Sequence, residues 1–231
     1  MAIAQHLPPD LVALFADAVT RLEGRFASDP GRLADENQDV EVRRWLDVDG
    51  PLEWAGPGIT ADEWFFITTL YGEMNLAGQR THIRALFPRF VAAANRDIRN
   101  MTPELVADWK LRSRWMKGRL CRMATVLRQR GMSMTEYVEH LRELERHATP
   151  ANPMPALDAI IADHQATGWK TLSVFVRDCV GGNSFAIDSR VEKELVLHAL
   201  SNNERTLVSL SLKLERNPRR VARMFYWAGG E

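Results

Sequence analysis

Two short strings, Thr60-Ala61-Asp62-Glu63 and Ser133-Met134-Thr135-Glu136, carry the same device: a hydroxyl followed three residues later by a glutamate. Such a pair satisfies two of the backbone N–H groups that a helix start leaves without partners, so each string predicts the first turn of an α-helix. Helical apolar runs follow at once, Trp64, Phe65, Phe66, Ile67 and Leu70 after the first, and Tyr137, Val138 and Leu141 after the second. Other helix starts are written in different residues: Thr102-Pro103-Glu104, Asp188 ahead of Val191, Leu195 and Leu197, and Asn217-Pro218 ahead of Met224, Phe225, Tyr226 and Trp227. Residues 9–26 place Leu11, Leu14, Phe15, Val19 and Leu22 on one helical face. No stretch of useful length alternates apolar with polar residues, and neither a long repeat nor a phosphate-binding glycine loop is present, so the expectation is an all-α fold.

Between these helices the chain carries its breaks. Residues 29–58 hold Pro30, Pro51, Pro57 and several glycines, and predict a long loop with one short helix around Val42 to Leu46, packed on the body through Trp45 and Trp54. The helix opened by Glu63 is followed by a polar turn containing Glu73 and Asn75, then by a second helix running to Phe87 and Pro88. Residues 149–155 form a proline-rich connector, and 204–216 a further helix.

At 231 residues, 45% of them hydrophobic and 26% charged, the chain has room for a core in one domain or two interlocked lobes. No apolar run reaches membrane-spanning length and the first residues lack the order of a signal peptide, so no membrane partner and a cytoplasmic location are expected. Cys121 and Cys179 fall within apolar helical patterns and read as separate thiols. Six scattered histidines show no metal-ligand spacing, so neither a metal nor another cofactor is expected. The formal charge of +0 argues at first against a nucleic-acid partner. Its distribution argues differently: residues 31–63 hold nine acids against three arginines, and residues 104–130 hold eight bases against two acids. The second run, including Arg112, Arg114, Lys117 and Arg119, is either a solvated helix face or one basic face of a neutral molecule.

The most informative stretch runs from His164 to Arg190, HQATGWKTLSVFVRDCVGGNSFAIDSR. Thr167, Gly168 and Trp169 break an apolar run (Leu157, Ile160, Ile161) and a new one restarts with Leu172, Val174, Phe175 and Val176, which reads as helix, hairpin, helix. Lys170 then lies in the first turn of the second helix, where its amine faces the positive end of the helix dipole, a setting suited to a nucleophile. Gly181 and Gly182 end that helix, and Asp188 takes the N-cap of the next. Singly, such a lysine is a solvated side chain and such an aspartate a cap.

Together, G-x-K-T, the glycine turn and a lysine-to-aspartate spacing of 188 − 170 = 18 residues resemble the helix-hairpin-helix DNA glycosylases of the endonuclease III and 8-oxoguanine glycosylase superfamily. The resemblance covers residues 61–200 and is specific from Gly168 to Val191. It implies a two-lobed fold, with residues 61–180 as a central helical lobe ending in the hairpin, and residues 1–60 joined by 181–231 as the second. It also implies that Lys170 attacks the sugar and Asp188 assists, in a cleft that receives a base flipped out of double-stranded DNA. By the same carry-over the hairpin residues Gln165, Ala166, Thr167, Gly168 and Trp169, with Thr171, contact DNA. Trp115-Met116-Lys117-Gly118 resembles the aromatic, x, Lys, small-residue string that begins another helix in these enzymes, which adds Lys117 to the DNA contacts. Glu73 and Asn75 fall where the family places residues that replace the extruded base. The chain departs from the family at the hairpin, where only the second glycine of L-P-G-V-G is kept, and in having two cysteines where relatives with an iron-sulfur cluster need four.

The expected function is therefore a monomeric base-excision repair enzyme, a glycosylase and apurinic-site lyase, with oxidised purines such as 8-oxoguanine favoured as the lesion. A helix-hairpin-helix module that binds DNA without catalysis is the alternative. A glycosylase that uses water as nucleophile is a third reading, disfavoured because such relatives generally lack the lysine.

Overall fold

The structure, a computed structural model, describes residues 7–33, 38–71, 75–109, 111, 114–164 and 169–230. These fold into helices in chain order: α1 (Pro9–Arg25), α2 (Gln38–Leu46), α3 (Ala61–Leu70), α4 (Leu76–Ala94), α5 (Arg114–Arg130), α6 (Met134–Glu145), α7 (Pro155–His164), α8 (Trp169–Phe175), α9 (Ser189–Leu197), α10 (Glu204–Lys213) and α11 (Pro218–Ala228). Among the described residues there is no β-strand, only one isolated bridge between Thr149 and Asn152. The all-α expectation holds.

Both capping boxes form. The Thr60 hydroxyl accepts from Glu63 N at 3.2 Å while Glu63 Oε2 accepts from Thr60 N at 2.9 Å, and Ser133 and Glu136 repeat the exchange at the start of α6. Asn217 caps α11, with Pro218 as its first residue. Helix α3 is the centre of the fold: Glu63 to Leu70 are all buried, and the helix touches α4, α5, α6 and α8. A helix apolar on every side must be surrounded, and burying each Phe or Leu side chain is worth about 2 kcal/mol. Phe66 stacks on Phe90 with ring centroids 4.5 Å apart and meets Trp109 edge-on at 6.2 Å, while Phe65 meets Phe175 at 5.2 Å. At the other side of the molecule α11 packs on α9, α10 and α1, where Phe225 lies between Phe15 and Phe185.

Three segments differ from the sequence expectation. Helix α2 starts at Gln38 rather than Val42, its first turn carrying Asp39 and Glu41, which suit the positive end of a helix. Trp45 packs edge-on to Tyr71 and Trp54 against Phe87, and Arg84 Nη1 reaches the carbonyls of Leu46 (2.5 Å) and Gly50 (2.6 Å), so residues 38–59 lie on the α3–α4 pair. Helix α4 runs through Pro88 to Ala94. An interior proline costs about 3 kcal/mol, but stopping there would strip Phe90 and Ala94, both buried, from the core. Conversely, Thr102-Pro103-Glu104 opens only a series of turns: the Thr102 hydroxyl accepts from Leu105 N, and residues 103–109 form no helix.

Candidate functional site

Helix α8 begins at Trp169, with Lys170 as its second residue, exposed to solvent. Gln165, Ala166, Thr167 and Gly168 lie outside the described residues, as do the Trp169 side chain and Glu73. Thr171 turns inward, 7% exposed, and its hydroxyl accepts from Arg119 Nη1 at 2.9 Å, which ties α5 to the Lys170 helix. Lys117, half-buried on α5, donates from Nζ to the Ala107 carbonyl at 2.8 Å. Asn75 is the N-cap of α4, its side chain accepting from Gly78 N at 2.8 Å. His164, the last residue of α7, is 1% exposed against Phe65, and among the described residues neither ring nitrogen has a hydrogen-bond partner of good geometry. Burial holds its pKa down to about 4, so it is a neutral core side chain.

Beyond Phe175 the helix widens into a π-turn, Val176–Val180, before Gly181 closes it at φ 79°. Arg142 on α6 satisfies two carbonyls there, donating to Val180 O at 3.0 Å and Cys179 O at 2.9 Å. The widened turn places Arg177 and Asp178 side by side, Nε to Oδ1 at 2.6 Å and Nη2 to Oδ2 at 3.0 Å. Burial works against the Arg177 charge, but Asp178, helped by Tyr71 and Asp188, outweighs it and raises the guanidinium pKa. Burial also pushes the Tyr71 phenol up, and Asp178 adds to this. Tyr71, Arg177, Asp178 and Asp188 are thus electrostatic neighbours. Cys179 beside them is a free thiol pushed by burial up to about 12, and burial likewise raises Cys121, so neither is poised as a thiolate.

Residues 181–188 join this turn to α9 without helix or sheet, and their backbone N–H groups go elsewhere. Gly182 N donates to Val176 O at 2.9 Å. A Cβ on Gly182 would lie 2.7 Å from Val176 Cγ1 and 3.2 Å from the Glu145 carboxyl, so only glycine fits. Asn183 N donates to Glu145 Oε1 at 2.6 Å and its side chain to Pro153 O at 3.1 Å. Phe185 N (2.8 Å) and Ala186 N (3.0 Å) both donate to Glu204 Oε1. Ala186 sits at φ 44°, in the left-handed region that a non-glycine residue enters at a cost. This strap delivers Asp188 to the N-cap of α9, as its place in the sequence predicts: Oδ1 accepts from Arg190 N and Val191 N, both at 3.0 Å. Oδ2 takes no hydrogen bond from the described residues. The carboxylate is half-exposed.

The structure therefore places Lys170 and Asp188 at the two ends of one continuous stretch, the amine at the head of α8 and the carboxylate at the head of α9. Glu145, Glu204 and Arg177, which build the stretch between them, carry no local signal in the sequence. Glu145 and Glu204 lie 38 and 18 to 19 residues from the amides they hold. Among the described residues no group of His, Cys, Asp and Glu could hold a metal ion, and no helix is long and apolar enough to cross a membrane. Compared with models of protein families, with curated proteins and with solved structures, the chain matches none of them.

Proposed function

We propose that this chain is a DNA glycosylase and apurinic-site lyase of the two-lobed helix-hairpin-helix kind, with Lys170 as nucleophile and Asp188 as its carboxylate partner. The observation that carries the reading is the state of Asp188. Asp188 is partly exposed beside Arg177 at the end of a strap held by two carboxylates, and it caps α9 with Oδ1 while Oδ2 takes no hydrogen bond from the described residues, which leaves an acceptor for a substrate. The exposed Lys170 at the head of the preceding helix supplies the amine. In the proposed reaction the bond between the sugar C1′ and the base nitrogen breaks, and the base leaves with the bonding electrons and a proton. Asp188 stabilises the positive charge that develops on the sugar, and the Lys170 amine adds to C1′. The sugar ring opens to an imine, and loss of a C2′ proton then expels the 3′ phosphate, cutting the strand. The partner is double-stranded DNA carrying a damaged base, with an oxidised purine favoured.

Borohydride trapping on DNA with an abasic site tests the chemistry, and a set of duplexes each bearing one lesion tests the substrate. Covalent trapping that disappears in Lys170→Arg supports the reading, because a guanidinium keeps positive charge but offers no lone pair. Binding to the duplex without trapping would leave a non-catalytic DNA-binding module in its place.

A further inference from the structure

Glu204, in the first turn of α10, is 7% exposed and sits where α8 and the strap meet. Its two oxygens face different elements. Oε1 accepts from Ser184 Oγ (2.9 Å), Phe185 N (2.8 Å) and Ala186 N (3.0 Å), all on the strap, while Oε2 accepts from Ser173 Oγ (3.1 Å), on α8. Ser173 is 0% exposed and lies three residues after Lys170, and Ala186 lies two residues before Asp188.

We infer that Glu204 is a positioning residue that sets the Asp188 carboxylate relative to the Lys170 helix, an inference that rests on the glycosylase reading above. A loop of this kind could leave its amides to water. Instead a carboxylate is taken out of water to meet them, which is costly unless its lone pairs are filled, and filled lone pairs make the contact rigid. The left-handed Ala186 is the second sign: a residue stays in that conformation only where its surroundings over-determine it, and here its N–H is bound by Glu204. The pair of oxygens matters more than the bonds on either one. A single acceptor could hold the strap, but only a group with acceptors on both sides fixes the strap and α8 to each other. Reacting groups held at the right separation gain large factors in rate, and a displacement of about 1 Å costs about 100-fold.

The test separates two steps. Base excision needs Asp188 and Lys170 in register; imine formation on DNA that already carries an abasic site needs the amine alone. Glu204→Gln, which keeps one acceptor, and Ser173→Ala, which removes the hydroxyl that donates to Oε2 from α8, are compared with the parent chain for duplex binding, single-turnover excision from a lesion-bearing duplex and borohydride trapping on abasic duplex. Both variants are expected to fold and bind DNA as the parent does, to trap within about twofold of it, and to excise about 10- to 100-fold more slowly. Excision and trapping falling together, or neither falling, overturns the positioning role and leaves Glu204 a support of the fold. A parent chain that neither excises nor traps sinks the glycosylase reading itself. Should Glu204→Gln unfold, Ser173→Ala alone decides, since it leaves the strap bonds to Oε1 in place.

Discussion

Helices α3 and α9 begin in the same manner, with a carboxylate facing backbone N–H groups, and differ in how much of that carboxylate the fold occupies. At α3, Glu63 is 0% exposed and both oxygens are engaged, Oε1 by Ala55 N and Oε2 by Thr60 N, each at 2.9 Å, with Arg96 Nε 3.9 Å away. At α9, Asp188 uses Oδ1 for two N–H groups and is partly exposed, and Oδ2 takes no hydrogen bond from the described residues. The first group is consumed by structure. The second has its geometry fixed by structure and an acceptor in reserve, which is what a group needs if it is to stabilise charge on something that is not part of the protein.

The largest expected effect tests the α9 side. Asp188→Asn keeps the acceptor that caps the helix, since asparagine and aspartate cap about equally well, and removes the negative charge. Excision is expected to fall by at least about 100-fold with an unchanged melting curve; unchanged excision in a folded variant would make Asp188 the equal of Glu63. The support of the same helix start comes next. A Cβ on Gly229 would lie 2.0 Å from the Arg190 carbonyl oxygen and 2.7 Å from its carbon, backbone atoms that cannot swing aside. Gly229→Ala is therefore expected to cost about 3 kcal/mol in a urea titration by forcing α11 away from α9.

At α3 the signs reverse. Glu63→Gln turns one fully used acceptor into an amide N–H facing another N–H, and about 2 kcal/mol of stability should be lost. A variant as stable as the parent would show the Glu63 bonds to be dispensable. The smallest effect lies one residue earlier. Burial raises the Asp62 pKa from 3.8 to about 6, although its carboxyl accepts from Ile98 N at 2.8 Å. The folded state holds a proton that the unfolded state has released, so stability falls as pH rises from 3.8 to about 6, and the cost stays in full above that. Asp62→Asn should be more stable than the parent by about 1 to 2 kcal/mol at pH 7.5 and should lose that advantage by pH 4. Thermal melts at the two pH values read it directly; an advantage that does not change with pH would assign it to packing.

The helix starts were legible because each is built within four residues. Thr60 with Glu63, Ser133 with Glu136, Asp188 with Val191 and Asn217 with Pro218 carry their partners beside them, and so does the end of the α8 turn at Gly181. What the sequence misplaced was decided at a distance. Pro88 reads as a helix end, yet Phe90 is drawn onward by Phe66, and Thr102-Pro103-Glu104 reads as a helix start, yet turns alone carry Val106 and Trp109 into the core. The candidate site divides in the same way. Lys170 and Asp188 could be picked out by spacing and type. Glu145 and Glu204 could not, because neither differs from a surface glutamate until the fold brings Asn183, Phe185 and Ala186 to it. The π-turn has no residue pattern of its own; it is visible as Gly181 N bonding five residues back to Val176 O.

Connections between helices ordinarily drift in length among related chains, since an added residue in an open loop costs little. Residues 181–188 have no such latitude. The amides of Gly182, Asn183, Phe185 and Ala186 are each matched to a fixed acceptor, and Asp188 must arrive with its side chain facing the first turn of α9. An insertion or deletion anywhere among them would shift every later amide by one place, turning donors that face Glu204 into donors that face nothing. This stretch of irregular backbone is thus counted as strictly as the rungs of a sheet, and related chains should preserve its length even where they replace its side chains.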